Sequence, residues 1–187
     1  EEAEVEAQRA IELEPENARY HNSLGITLHS QGRYVEAEEE KRRAVELEPE
    51  NALYHNNLGI TLHEQGKYCE AEKEKRRAIE LESDNAKYHD SLGTTLHSQG
   101  RYAEAEEEKR RAVELEPENA RYHNSLGTTL HSQGRYDEAE KEKRRSVNLN
   151  PKNALYHDNL SATLQAQRKY EEAEVEAQRA IELEPEN

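Results

Sequence analysis

Nine histidines are the residues best able to do chemistry in this 187-residue chain, and they fall into two sets. His21, His55, His89, His123 and His157 recur every 34 residues, and so do His29, His63, His97 and His131. Imidazole ligates metals and titrates near neutral pH. Helical spacing argues against a metal. His21 and His29 would lie about 12 Å apart along a helix rising 1.5 Å per residue. Equivalent histidines on neighbouring helices would stand about 8–10 Å apart, axis to axis. Zn–N bonds span only about 2.0–2.1 Å. No metal and no cofactor are therefore expected. Histidines that share a face and titrate near pH ~6.5 would turn it cationic in acid, so an acid-dependent change in partner affinity is expected.

The single cysteine, Cys69, stands where other repeats carry Val35, Ala103, Asp137 or Glu171, which reads as an exposed residue without a role. One cysteine cannot form an internal disulfide, and its usage suits a reducing, intracellular and cytoplasmic setting. No nucleophile sits beside a base, and no glycine-rich phosphate loop is present, so an enzyme is not expected.

Composition alone points toward disorder: 33% of the residues are apolar and 36% are charged. The apolar residues nevertheless fall in strict register, which argues for order. No run of 18 apolar residues exists, so no membrane span is expected. A net charge of −15 argues against a grip on nucleic-acid phosphates. The chain has no methionine and begins mid-pattern at Glu1, and it reads as a slice of a longer array.

The elements that position these residues follow from the 34-residue period. Asn-Ala-x-Tyr-His recurs at Asn17, Asn51, Asn85, Asn119 and Asn153. The chain divides into residues 1–17, the second helix of a partial repeat, and five repeats at 18–51, 52–85, 86–119, 120–153 and 154–187. Residues 171–187 are identical to residues 1–17, and the first and third repeats differ at only four positions. Recent duplication, a cut from a longer array and an engineered sequence are all compatible with that identity.

Each repeat reads as two helices. Asn17 and its equivalents are N-cap candidates. Tyr20, Leu24, Thr27 and Leu28 then share one face. The helix should stop at Gln31-Gly32. The second helix begins near Arg33-Tyr34, turns Tyr34, Ala37, Ala44 and Leu47 inward, and ends before Pro49. Its charges predict Glu38–Arg42 and Glu39–Arg43 pairs on a solvated outer face. Such helices cannot bury enough surface alone, so stability must come from stacking repeats.

These residues resemble the tetratricopeptide repeat family over the whole chain. Leu24-Gly25, Leu58-Gly59, Leu92-Gly93 and Leu126-Gly127 match its Leu-Gly pair. Ala37, Ala71, Ala105, Ala139 and Ala173 match its first small position; Ala44, Ala78, Ala112 and Ala180 match its second, with Ser146 as the exception. Pro15, Pro49, Pro117, Pro151 and Pro185 match its proline, with Ser83 in the remaining place. The resemblance implies an all-α fold, a right-handed superhelical solenoid of antiparallel helix pairs. Departures are the first histidine set at a large apolar position and Lys41, Lys75, Lys109 and Lys143 at another. The last repeat also departs, with Ser161, Gln165 and Arg168.

In this family the first helices line a concave groove. The resemblance therefore implies a peptide-binding face of Arg19, Asn22 and His29 on one helix, and Asn56, Asn57 and His63 on the next. It continues through Lys87, Asp90 and His97, then Arg121, Asn124 and His131, and ends at Asp158 and Asn159. The family's clamp for acidic chaperone tails is absent, since its lysine and asparagine positions carry Asn or Asp and Ile, Thr or Ala. Asn57 and Asn159 do match the family's asparagine ladder for peptide backbones, and Asn22, Asn56 and Asn124 sit one residue early.

The expected function is a scaffold that binds a peptide or helix of another protein. The alternative is a spacer or an end-to-end self-assembling array without a dedicated ligand. No polar capping helix follows Asn187, so an apolar flank that invites stacking is expected. The fourth repeat carries seven basic against four acidic residues, a band that could dock an acidic surface of another copy.

Overall fold

A short amide side chain at the start of each repeat can accept from the first unpaired amides of a helix. The computed structural model, which describes residues 2–184, begins a helix one residue after each of the five asparagines. Asn17, Asn85 and Asn119 accept from the backbone N–H two residues on, and Asn153 accepts from that of Tyr156. Asn51 caps by position without such a bond. These first helices end at Gly32, Gly66, Gly100 and Gly134, whose φ values of 74–76° suit a residue without Cβ. Arg168 occupies the same left-handed turn at φ 63°, a conformation that costs a non-glycine residue about 1 kcal/mol. Each second helix of the five full repeats starts on a tyrosine and ends on a leucine, two residues before the proline where one is present. Pro185 lies outside the described residues.

Among the described residues there are eleven helices and no strands, which fit about five and a half helix pairs. The chain divides into two compact units at Gln99–Gly100. The first holds α1 (Glu2–Leu13), α2 (Ala18–Ser30), α3 (Tyr34–Leu47), α4 (Ala52–Glu64), α5 (Tyr68–Leu81) and α6 (Ala86–Ser98). The second holds α7 (Tyr102–Leu115), α8 (Ala120–Ser132), α9 (Tyr136–Leu149), α10 (Ala154–Ala166) and α11 (Tyr170–Leu183). Within each unit every helix packs on its chain neighbours, and the first helices also touch one another.

Small cores repeat within each unit. Leu24 and Leu28 close on Ala37, sealed by Ala7 and Ile11 of the preceding second helix. Leu58, Leu62 and Ala71 repeat this with Val45, and Leu160, Leu164 and Ala173 with Val147. In the first unit a second cluster forms the junctions: Tyr54 packs on Ala18 and Ala44, and Tyr88 on Ala52 and Ala78. Alanine is required because a first helix, a second helix and a tyrosine ring meet there with no room for a longer chain.

Ion pairs clip successive repeats together on the outside. Glu38 accepts from Arg42, from Lys67 of the next repeat at 2.7 Å, and from Gln65. Burial pushes its carboxyl up, but those three donors outweigh burial and hold it below the usual carboxylate range. Glu106 and Glu140 repeat the arrangement in the second unit. The expected Glu39–Arg43 pair does not form. Arg43 reaches one turn forward to Glu46 at 3.2 Å, which is the nearer carboxylate on that face.

Candidate functional site

The first helices present mixed chemistry in each unit. In the first unit Arg19 and Lys87 are exposed, as are Ile26 (48%) and Leu53 (41%). His29, His63 and His97 are half-buried. Asn22, Asn57 and Asp90 are buried at 6–8% exposure, and Asn56 is fully buried. The expected open row of amides is therefore closed. Asn57 Nδ2 donates to Asn22 Oδ1 at 3.1 Å, which spends one donor and one acceptor on a link between repeats. In the second unit Asn159 Nδ2 donates to Asn124 Oδ1 at 3.2 Å; both residues are half-buried, whereas Arg121 and Asp158 are exposed. His131 is half-buried there. Asn56 has no such partner because Ser91 stands where the linking asparagine would be, and its amide atoms are buried without a hydrogen bond.

The histidines on this face are gripped from inside. His29 Nδ1 lies 3.1 Å from Thr61 Oγ1 of the next repeat, and Lys41 Nζ donates to the same hydroxyl at 2.7 Å. His63, Thr95 and Lys75 repeat the triad at 3.1 and 2.7 Å. His131 keeps Thr163 at 3.0 Å, while Lys143 donates to the Asn159 carbonyl at 2.9 Å. Burial first, and the nearby lysine second, hold His29, His63 and His131 below the usual imidazole range. The acid-dependent charging of this face is thus displaced to lower pH than free histidine would give. A neutral ring also stabilises the fold, with a contribution complete above pH ~6.5 and lost as pH falls through the lowered value.

Lys41, Lys75, Lys109 and Lys143 overturn the expectation of a wholly solvated second-helix surface, since each is only 2–4% exposed. The stems of Lys41, Lys75 and Lys143 lie where a glycine leaves space: a Cβ on Gly25, Gly59 or Gly127 would stand 2.6–2.7 Å from the lysine Cγ. Burial pushes Lys41, Lys75 and Lys143 down to about 8. The last pair drops both halves together, with Ser161 in place of the glycine and Ala177 in place of the lysine. That paired replacement was the sequence signal that could have revealed the buried lysines.

The other histidine set, which stands at the family's large apolar position, lies between helices. His21 Nδ1 lies 2.7 Å from Glu40 Oε2, and its Nε2 lies 2.9 Å from the Pro15 carbonyl. His55, His123 and His157 make the same two bonds. His89 bonds the Ser83 carbonyl at 2.9 Å, which explains why proline is dispensable there: the bond uses backbone. A ring facing two acceptors is fully satisfied only as imidazolium. The Glu74 carboxylate accordingly raises His55, against burial. His55→Ala is expected to cost about 2 kcal/mol at pH 6. A raised value gives stability that is complete below the unfolded pKa and lost as pH climbs through the folded one. The gap between the urea midpoints of wild type and variant should therefore shrink from pH 6 to pH 8.

Cys69 is exposed. Among the described residues no three His, Cys, Asp or Glu side chains gather as a metal site, and no helix is long and apolar enough to cross a membrane.

The chain is similar in structure to three solved proteins, each below 25% identity, so the likeness shows the fold alone. YrrB, described as "a TPR protein with an unusual peptide-binding site", shares 24% identity; 97% of this chain and 93% of that one align, with a TM-score of 0.70. The pilF protein of Pseudomonas aeruginosa shares 24%, covering 91% and 78%, with a TM-score of 0.82. MamA from Desulfovibrio magneticus RS-1, residues 41 to the end, shares 19%, covering 90% and 95%, with a TM-score of 0.78. No curated protein sequence matches the chain. Family models described as tetratricopeptide repeat match residues 6–39, 91–154 and 158–183, and one described as TPR repeat matches 27–66. Those matches span most of the chain and coincide with its repeating helix pairs, so the chain belongs to the tetratricopeptide repeat family, a family of protein-interaction scaffolds.

Proposed function

We propose that the first-helix face binds a peptide segment or a helix of another protein. The observation that carries this reading is the exposure of Ile26 and Leu53 between Arg19 and Lys87, on helices whose other apolar residues are almost all buried. Two exposed aliphatic side chains flanked by cations offer an apolar anchor with a polar rim, the usual anatomy of a recognition patch. His29 and His63, half-buried, lie on the same first helices. The peptide-binding description of YrrB supports the same reading by analogy. Asn22, Asn56 and Asn57 act behind the face: two join repeats, and the third is enclosed.

Peptides selected from a displayed random library against the wild-type chain provide the test. They should bind an Ile26→Glu, Leu53→Glu double variant at least about tenfold more weakly, since anchors of this kind dominate binding energy. Both side chains are exposed, so the variant should fold. Equal binding to the two chains would place recognition elsewhere.

A further inference from the structure

The first-helix face of the first unit carries two histidines whose proton the surrounding bonds assign. Lys75 Nζ donates to Thr95 Oγ1 at 2.7 Å and to the Ser91 carbonyl at 3.0 Å. An ammonium accepts nothing, so Thr95 Oγ1 accepts there and sends its own hydrogen elsewhere. Two acceptors stand near it. The Ser91 carbonyl is 3.5 Å away, beyond the usual span of about 2.5–3.0 Å for O–H···O, and it already takes the ammonium. His63 Nδ1 is 3.1 Å away. The hydroxyl therefore donates to Nδ1, and the ammonium behind it strengthens that bond by polarising the hydroxyl. His63 then keeps its proton on Nε2. Lys41, Thr61 and His29 repeat the relay at 2.7 and 3.1 Å, against 3.3 Å from the hydroxyl to the Asn57 carbonyl.

Both rings are also held in orientation. Each stands edge-on to the tyrosine that opens the following second helix, His29 to Tyr34 and His63 to Tyr68, with centroids 5.1 and 5.2 Å apart. Burial and the lysine behind keep both rings neutral at pH 7.5. Nε2 of each ring bonds to no described residue, and both rings are only half-buried. The same unspent N–H donor thus recurs on successive first helices.

Such donors fit oxygen acceptors, and their repetition selects which. Donors that recur along the protein suit a group that recurs along the ligand, which a backbone carbonyl does and a single side chain does not. Packed first helices stand about 8–10 Å apart, the span of about three residues of extended chain. A helix would bring carbonyls already bonded to its own amides. A carboxylate would meet Glu64, which is exposed and close enough to act on both rings. We propose that the Nε2–H groups of His29 and His63 donate to backbone carbonyls of an extended peptide segment, so that the first-helix face takes an extended partner and not a helix. The proposal rests on the reading of that face as a binding surface and names what it binds: Ile26 and Leu53 supply the anchor, and the two histidines fix the register.

Nitrogen-15 NMR of the full chain at pH 7.5 provides the test, without and with a synthetic amidated peptide selected on wild type from a library lacking Asp and Glu. The free protein should show both rings as the Nε2–H tautomer. With peptide bound, those two protons should exchange with solvent at least about tenfold more slowly. The bound peptide should show the nuclear Overhauser pattern of an extended chain. A His29→Phe, His63→Phe double variant keeps rings beside the tyrosines and should bind the peptide about tenfold more weakly, since two neutral hydrogen bonds are lost. Circular dichroism checks its fold. An Nδ1–H tautomer in either ring overturns the proposal, whether or not the variant folds. So does a peptide that binds as a helix, leaves the two protons freely exchanging, or binds the double variant like wild type while losing affinity for the Ile26→Glu, Leu53→Glu chain; the face then stands without these donors. Binders obtained only when Asp and Glu are restored assign the donors to carboxylates and overturn the backbone assignment. No binder from either library, or a peptide insensitive to both double variants, overturns the reading of the face as well.

Discussion

Replacing Lys75 by methionine is expected to stabilise the protein by about 1–2 kcal/mol at pH 7, although it deletes two hydrogen bonds. The ammonium of Lys75 is 2% exposed and donates to Thr95 Oγ1 at 2.7 Å and the Ser91 carbonyl at 3.0 Å. Both acceptors are neutral, and the charges of Asp90 and Glu64 help only from a distance. Burial therefore wins and lowers the lysine from 10.5 to about 8. A depression of that size corresponds to a charged form disfavoured by about 3 kcal/mol. Losing two hydrogen bonds gives back about half of that. Methionine keeps the apolar stem that fills the space beside Gly59, and Thr95 retains His63 and the Ser91 carbonyl as partners.

The pH dependence follows from the same shift. Between about pH 8 and 10.5 the unfolded chain holds a proton on this lysine that the folded chain has released, so wild-type stability on this account rises with pH across that window. The advantage of Lys75→Met should accordingly be largest near pH 7 and should fade toward pH 10. Urea midpoints at pH 7.5 and 9.5 for both proteins measure this. A variant less stable than wild type at pH 7.5 would show that the two hydrogen bonds outweigh desolvation.

Gly59→Ser is expected to cost about 2–3 kcal/mol alone, and most of that loss should vanish when Lys75→Ala is added. A Cβ on Gly59 would meet Lys75 Cγ at 2.7 Å and the Ala71 carbonyl at 3.1 Å. The first obstacle is the base of the lysine stem, which cannot swing aside as its tip could. Removing the stem leaves the carbonyl, and a serine hydroxyl turns that contact into a hydrogen bond. The α10–α11 pair shows this outcome already: Ser161 Oγ donates to the Ala173 carbonyl at 2.8 Å, opposite Ala177. The readout is the coupling energy from urea unfolding of wild type, both single variants and the double variant. A double variant as unstable as the sum of the singles would mean that helix separation, rather than this contact, limits the position.

The helices were legible in the sequence to within a residue or two. A strict 34-residue period, an asparagine before each first helix and a glycine after most of them mark their ends by local backbone chemistry, which needs no tertiary context. The leucine and alanine cores were legible for the same reason. The first histidine set was legible as interhelical because it replaced apolar residues at apolar positions. The outer surface was less so. Arg42 chose Glu38 as spacing predicts, but Arg43 pairs with Glu46, because i,i+3 and i,i+4 carboxylates share one exposed face and spacing alone does not choose between them.

The sequence by itself determined a tetratricopeptide array: which residues form helices, where the helices stop, and which apolar side chains form the cores. Tertiary structure alone decided the fate of the polar residues between repeats. It enclosed Asn56, joined Asn57 to Asn22, and drew four lysines into the interior, three of them beside their glycines, each such pair within one unit. Helix periodicity assigns a residue to a face of its own helix. Whether that face meets solvent or the next repeat depends on how closely two helices approach, and here glycine permits the close approach that a lysine stem then fills.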